Sequence, residues 1–490
     1  MKKIIPFGFL LLTMLVSVSA YAATYTSRAD GAWTTTTTWT PNSPAGGPTS
    51  ADNVVIIHNV TWAGGAWTGA GSITIQTTGS LSGKLTISGA TTLKGTNSSN
   101  VMDLTVSGSG SLVVNNSLTL KDFSLFTMTA GTSSVQYLSV DAGSYVGNGG
   151  TLTITTTGLD ISTSGASSFT NNAGGTVIVN TLTNTGDVSA AKFTNAGTFN
   201  VVNTGGDFVF ANSGGTFSNT GTITVGGNFQ ANASITNAGT ITTGTFTVPN
   251  TGGTFTNTGT MTVTGLTDIQ GGTVQLSPST SPAANSRLTV RGTFNVSGWG
   301  TINVGNGPIG SPAYYADLVI EANLGQLAGT LNVKCNGRVA VFSDFNISNG
   351  AFNIETCGAG NGGQVYIDGD GSGASVTRTG GSITNNNAAV GGVPYGFYVN
   401  GTTSGTVPAA GTVSQLQSSN PSFYNWIATL PNSPLPVKLQ YFKVTSVKEQ
   451  GIALEWATSM EKNFKHFELQ RSGSDLQFFN NWNFKCKRRP

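Results

Sequence analysis

The sequence predicts an all-β chain, most of it a right-handed parallel β-helix, with a fragment of a β-sandwich near the C-terminus. Three observations point there. Near-copies of one nine-residue stretch recur, "FTNAGTFNV" from Phe193, "FSNTGTITV" from Phe217, "ITNAGTITT" from Ile235 and "FTNTGTMTV" from Phe255. Within them apolar and polar residues alternate with period 2, the pattern of strands with one face buried. The chain has 490 residues, 67 of them glycine, and only 9% are charged.

Each copy reads as a short strand, a two-residue corner ("AG" or "TG"), a second strand and a looser return. Glycine at the corner is expected to supply a positive φ. The reference residues Asn195, Asn219, Asn237 and Asn257 are 24, 18 and 20 residues apart. Repeats of about 20 residues with strands and no helical period indicate a solenoid whose coils stack about 4.8 Å apart. Strand and corner must then superpose, whereas the return loop can vary in length at small entropic cost. Stacking predicts one internal column of Phe193, Phe217, Ile235 and Phe255, and another of Phe199, Ile223, Ile241 and Met261. It also predicts an internal asparagine ladder at Asn195, Asn219, Asn237 and Asn257, each buried amide bonding to its counterparts above and below. The competing architecture is a string of antiparallel β-sandwich modules, which needs hairpin signals every 8–12 residues.

In chain order, residues 1–22 read as a signal peptide: Lys2 and Lys3, an apolar run to about Val18, then the small residues of "AYA". No later stretch is long enough to span a bilayer as a helix. Residues 23–70 read as an N-terminal cap with the first coil. Their skeleton, G-x-W, T-W, a Pro/Gly loop and D-x-V-x-I, resembles the opening of many secreted bacterial β-helical surface proteins. A solenoid end exposes core and strand edges and needs such a lid; Trp33, Trp39, Trp62 and Trp67 are the capping aromatics, with carbohydrate stacking as their alternative role. Residues 71–390 form the parallel β-helix, and 391–434, rich in turn formers, a C-terminal cap and linker.

Composition then changes. Residues 23–434 carry 10 Lys+Arg against 15 Asp+Glu; from Leu435 the balance is 10 against 5. The main body is mildly acidic and has no basic stripe, which argues against nucleic acid as a partner. In residues 435–479 three strands alternate cleanly: "LQYFKVTS", "GIALEWAT" and "FKHFELQRS". This stretch resembles the fibronectin type III-like module near the C-termini of type IX secretion cargo proteins. The matching positions are Leu435, Pro436, Val437, Leu439 and Phe442; Leu454, Trp456, Thr458 and Glu461; and Phe464, Phe467, Leu469, Arg471 and Ser472. The resemblance implies a bacterial protein that is secreted or held at the cell surface, with the export machinery as a partner. A full module needs about seven strands. Residues 480–490 instead form a basic tail, best explained by a truncated or shifted reading frame; a natural basic tail is the alternative. A product without its sorting signal would be retained in the periplasm.

Candidate chemistry is sparse. Polysaccharide lyases and hydrolases on β-helices need clustered carboxylates, or a Lys or Arg base. The densest acidic group is "YIDGDGSG", so Asp368 and Asp370 are weak Ca²⁺ candidates; Thr379 stands where a calcium loop needs a bidentate Glu. The two histidines, His58 and His466, fall in different segments, and neither hydrolase nor phosphate-loop motifs occur. Thr222/Thr224, Thr240/Thr242 and Thr260/Thr262 predict a T-x-T array on a solvent face, interrupted at Asn200. It resembles the ice-binding faces of antifreeze proteins, although threonine is also an ordinary exposed strand residue. Cys335 and Cys357 stand about one coil apart, and equivalent positions would bring them within disulfide reach. These readings favour a non-enzymatic surface stalk or adhesin-like protein meeting extracellular glycans or other surfaces. A polysaccharide-active enzyme is the alternative and an ice-binding protein the next. No catalytic or cofactor-binding residue is assigned.

Overall fold

The computed structural model describes residues 22–431, apart from 142, 162–166, 180–191, 211–214, 251–252, 281–282, 307–313, 322–323, 358–361 and 370–374. It also describes four later strands, 437–447, 451–461, 470–472 and 478–480. The leader up to residue 21, Asp370, His466, Leu435, Pro436, Phe464, Phe467, Leu469 and residues 481–490 lie outside the described residues. Among the described residues no helix is long and apolar enough to cross a membrane.

The strands build a parallel solenoid, the repeat architecture of a β-helix. Most fall into two sheets, one of 17 strands and one of 25. The larger sheet comprises two ranks, joined where long strands bend at a register shift, as in Thr132–Val140, Thr222–Ala231 and Thr240–Val248. Among the described residues most coils contribute one strand to each rank. Short strands with strict in/out burial, such as Thr198–Val201 and Thr254–Asn257, place every second side chain in one continuous core. The antiparallel-sandwich alternative does not hold for this body, because successive copies pair parallel and in register.

Register carries like onto like. Phe193, Phe217, Ile235 and Phe255 are aligned strand to strand, as are Phe199, Ile223, Ile241 and Met261. Phe169, Phe193 and Phe217 stack nearly parallel, with centroids 5.7 and 5.1 Å apart, an arrangement worth about 0.5–1.5 kcal/mol per pair beyond area burial. Beside them runs a buried amide column. Nδ2 donates to the next coil's Oδ1 from Asn148 to Asn171 (2.8 Å), Asn171 to Asn195 (2.7 Å), Asn195 to Asn219 (2.8 Å), Asn219 to Asn237 (2.7 Å) and Asn237 to Asn257 (2.7 Å). The same nitrogens also reach backbone carbonyls, Asn195 to Thr222 O at 3.1 Å among them. The column stops at Asn257 because its partner in the following coil is Leu276.

The corner glycines owe their identity to a different cause than the expected positive φ. Gly197, Gly221, Gly239 and Gly259 do not adopt the left-handed region. A Cβ on Gly221, Gly239 or Gly259 would instead collide with the carbonyl oxygen of the glycine one coil below. Close backbone approach excludes every other residue there.

The first coil is covered at its edge and the last coils along one side. At the start, the antiparallel pair Thr26↔Thr40 and Ser27↔Trp39 covers the edge of the first strand, Thr24–Ser27. Four tryptophans pack above the core: Trp33 lies 5.2 Å from Trp39, 5.2 Å from Trp62 and 5.0 Å from Trp67. Trp33, Trp39 and Trp67 are buried, which leaves them to capping and closes them to sugar rings. Asp52 ties this lid down, accepting from Thr49 N and Oγ1, both at 2.7 Å, and from Ala23 N at 3.1 Å.

The segment read as turn-rich cap and linker contains two helices, α1 (Val413–Ser419) and α2 (Pro421–Ile427). Their signals were present in "TVSQ" and "NPSF". Thr412 and Gln415 form a capping box, and Asn420 caps α2 with Pro421 in its first turn. Short amphipathic runs among turn formers hide such helices. Farther on, Val437–Val447 pairs antiparallel with Gly451–Glu461, and Gln470–Ser472 with Phe478–Asn480.

Asn219→Ala would leave Asn237 Oδ1 without its side-chain donor inside the core. A loss of about 1–3 kcal/mol is expected, and Phe217→Ala should cost about 3–5 kcal/mol. Urea titration followed by far-ultraviolet circular dichroism reads both; an unchanged midpoint for Asn219→Ala would refute a stabilising column.

Candidate functional site

A regular surface lies on the outward side of the first rank of the larger sheet. Residues two apart along a strand lie about 6.6 Å apart and successive coils about 4.8 Å apart. One outward column reads Thr132, Thr151, Thr176, Thr198, Thr222, Thr240 and Thr260, seven threonines in register. All seven are partly or fully exposed. Its neighbour reads Ser134, Thr153, Ile178, Asn200, Thr224, Thr242 and Thr262 by the same pairings. The three-coil T-x-T array of the sequence is therefore part of a longer hydroxyl column, about 29 Å from end to end at the coil spacing. The second column is less uniform, broken by Ile178 and Asn200. The 17-stranded sheet presents its own outward ladder, in which Asn332 Nδ2 donates to Asn303 Oδ1 and Asn353 Nδ2 to Asn332 Oδ1, both at 2.9 Å.

Toward the C-terminus the threonine column changes character, continuing in register as Arg287, Asp317 and Arg338. The neighbouring column becomes Thr289, Val319, Ala340, Tyr366 and Tyr398. Helices α1 and α2 lie on these apolar residues through Leu416, Phe423, Tyr424, Trp426 and Ile427. Strands Ala316–Ile320, Gly337–Val341 and Gln364–Asp368 are accordingly buried on both faces.

Helix α2 is fastened by a buried polar cluster. Asp317, fully buried, accepts from Arg338 Nε at 2.8 Å and Nη2 at 3.1 Å, from Arg287 Nη2 at 3.1 Å and from Trp426 Nε1 at 3.1 Å. The Arg338 guanidinium sits 4.0 Å from the Tyr315 ring centroid and 4.4 Å from that of Trp426, a double cation–π contact. Burial pulls its pKa below the ordinary arginine value, against the opposing field of Asp317.

Asp368 is nearly buried at the lid's edge, where Asn400 Nδ2 donates to its Oδ1 at 2.6 Å. Desolvation raises its pKa, with the Asn400 bond acting the other way. Its suggested Ca²⁺ partner, Asp370, lies outside the described residues. Among the described residues no three His, Cys, Asp or Glu side chains form a group able to hold a metal.

His58 lines an open groove of about 580 Å³ with Arg28, Asp30 and Asn59. Its Nδ1 is 2.8 Å from Ser27 O. Hydrogen bonds from the Asn59 side chain and backbone hold the Asp30 carboxyl below the usual range.

Cys335 and Cys357 are joined by a disulfide, with Cα atoms 5.7 Å apart. They are not strictly equivalent: Cys335 is two residues beyond Val333, and Cys357 three beyond its partner Ile354. The bond spans an offset of one residue where the chain has left the strands.

No family model, no curated protein and no solved structure matches the chain.

Three outcomes are expected. Arg338→Ala, which leaves Asp317 with less counter-charge in a buried site, should cost about 3–5 kcal/mol, measured by chemical denaturation; a wild-type midpoint would count against the cluster as a fastening. Because the folded-state pKa of Asp368 is raised, its stabilising contribution is complete below the ordinary aspartate range and is lost as pH rises through the folded value. Asp368→Asn should therefore raise the melting temperature at pH 7 and leave it unchanged below about pH 3. Intact mass should rise by about 2 Da on reduction, and a constant mass would exclude the disulfide.

Proposed function

We propose that this chain is a non-enzymatic β-helical stalk, secreted or held at a bacterial cell surface, that presents a Thr/Asn/Gly-rich face to glycans or other extended surfaces. The single observation that carries the reading is the seven-threonine column. It repeats at the coil spacing, is partly or fully exposed along its length, and gives way toward the C-terminus to a face covered by helices. Many weak hydrogen bonds from a preorganised lattice sum to useful affinity because little conformational entropy remains to be lost.

The export route rests on the resemblance of residues 435–479 to the fibronectin type III-like module of type IX cargo, and on the leader-like residues 1–22. Division into a cap at 23–70, a stalk at 71–390, a second cap at 391–434 and the module belongs to the same proposal. We take the coil as right-handed because parallel crossover connections almost always are. A glycan-active enzyme on the same scaffold would need convergent acid and base groups.

The column favours one second reading. Seven hydroxyls at constant spacing could also order water against ice, and thermal hysteresis would reveal that directly.

The test is co-sedimentation of the purified chain with microcrystalline cellulose, chitin and ice-free buffer controls. Lysine at Thr222, Thr240 and Thr260 together should reduce the bound fraction several-fold with an unchanged circular dichroism spectrum. Equal binding by the triple variant, or release of soluble sugar by the wild type, would overturn the proposal.

A further inference from the structure

The corner between strands Phe294–Val296 and Thr301–Val304 places a tryptophan in solvent. Trp299 is 90% exposed, whereas Trp33, Trp39, Trp67 and Trp426 are buried. The turn beneath it is fixed by backbone. Gly298 has φ +56°, Gly300 N donates to Ser297 O at 3.0 Å, and Trp299 N donates to Gln270 O of the coil below at 3.3 Å. A side chain on Gly300 would strike Ile269 O, so the corner accepts no bulkier residue there. The indole therefore stands on a rigid base and has only two side-chain torsions to restrict on binding.

Its surroundings suit a hydroxylated, uncharged ring. Thr273 and Thr301 are in register and Trp299 N donates to Gln270 O, so Gly271 lies below Trp299. The next coil turns in two fewer residues, with Ala328 N donating to Val296 O, so the Trp299 corner projects beyond it. Gly271 has no side chain to cover the indole, which stays open to solvent. The Asn250 amide lies beside this corner, with Oδ1 3.1 Å from where a Cβ on Gly271 would sit and 3.6 Å from one on Gly298. In the coil below, Asp268, paired with Asn295, accepts at Oδ2 from Gln270 Nε2 at 2.7 Å. Among the described residues no aromatic ring pairs with Trp299. Cation recognition favours enclosure by several rings, whereas a pyranose needs one open indole face for its polarised C–H groups and amides for its hydroxyls.

We propose that Trp299, bordered by Asn250, is a stacking platform for a neutral pyranose unit of an extended polysaccharide. This rests on the glycan-contact reading given under the proposed function and assigns it a specific subsite, separate from the threonine face.

The test titrates the full chain with cellohexaose, xylohexaose and mannohexaose, and with hexagalacturonate as the anionic comparison. Binding is read by calorimetry and by protection of the Trp299 indole from iodide quenching, obtained as wild type minus Trp299→Ala. At least one neutral hexasaccharide should protect the indole. Trp299→Ala should bind it about tenfold more weakly, and Trp299→Phe should retain most of the affinity. Equal binding by Trp299→Ala and wild type would overturn the platform and leave the glycan reading intact. Binding of hexagalacturonate alone would overturn the neutral-ring assignment. If none of these sugars nor cellulose nor chitin binds, the platform and the glycan reading fall together.

Discussion

Vertical register between coils is the constraint on which the rest of the structure depends. Side chains alternate faces along a strand, so a slip of one residue would turn every core residue of a coil outward. Two features of this chain oppose such a slip. The corner glycines bring backbone against backbone so closely that only a residue without a Cβ fits, as at Gly221 over Gly197. Beside them, each buried asparagine finds its hydrogen-bond partner only if its counterpart sits directly above. A misregistered coil would leave polar amides unsatisfied in an apolar interior, which costs more than the correct bond gains.

Given that register, the molecule must manage its ends and sides. The first edge is covered by an antiparallel segment and a tryptophan lid, and the last coils are covered laterally by two helices rather than by more strands. The helices are short, and their stability comes from the apolar column of Val319, Ala340, Tyr366 and Tyr398 on which they lie. The buried Asp317 cluster adds direction to this contact: its charge is shared between two arginines and an indole from the helix, so the lid fits in one position. Where the lid stops, an uncovered array of hydroxyls begins. The same columns thus serve two purposes, decided by whether the outward residue is threonine or an apolar side chain.

Much of this was legible in the sequence because the repeat spells its columns openly. "FTN", "FSN" and "ITN" before a glycine corner identify the inward positions without any knowledge of the third dimension. Two rungs escaped that reading. Asn171 precedes "NAGG", two residues longer than the usual corner, and Asn148 lies in "VGNGG", where the leading aromatic is missing. The length of the threonine column was underestimated for a related reason. Strands such as Thr132–Val140 and Thr151–Ile161 are not flanked by the motif, so their register follows only from pairing. The role of the corner glycines was misread because sequence shows that a Cβ is absent but not whether torsion or crowding demands it. Trp299 and the Asp317 cluster gave no periodic signal. Each is a singular residue whose meaning comes from neighbours a coil away.

The six-rung amide column has one more property. Every side-chain bond in it points the same way, from a nitrogen in one coil to an oxygen in the next, from Asn148 through Asn257. Reversing a single amide would set oxygen against oxygen on one side and nitrogen against nitrogen on the other. The rungs are therefore locked into a common sense, and each polarises the next. The core along these coils carries an aligned electric dipole, with its positive pole toward the C-terminal coils.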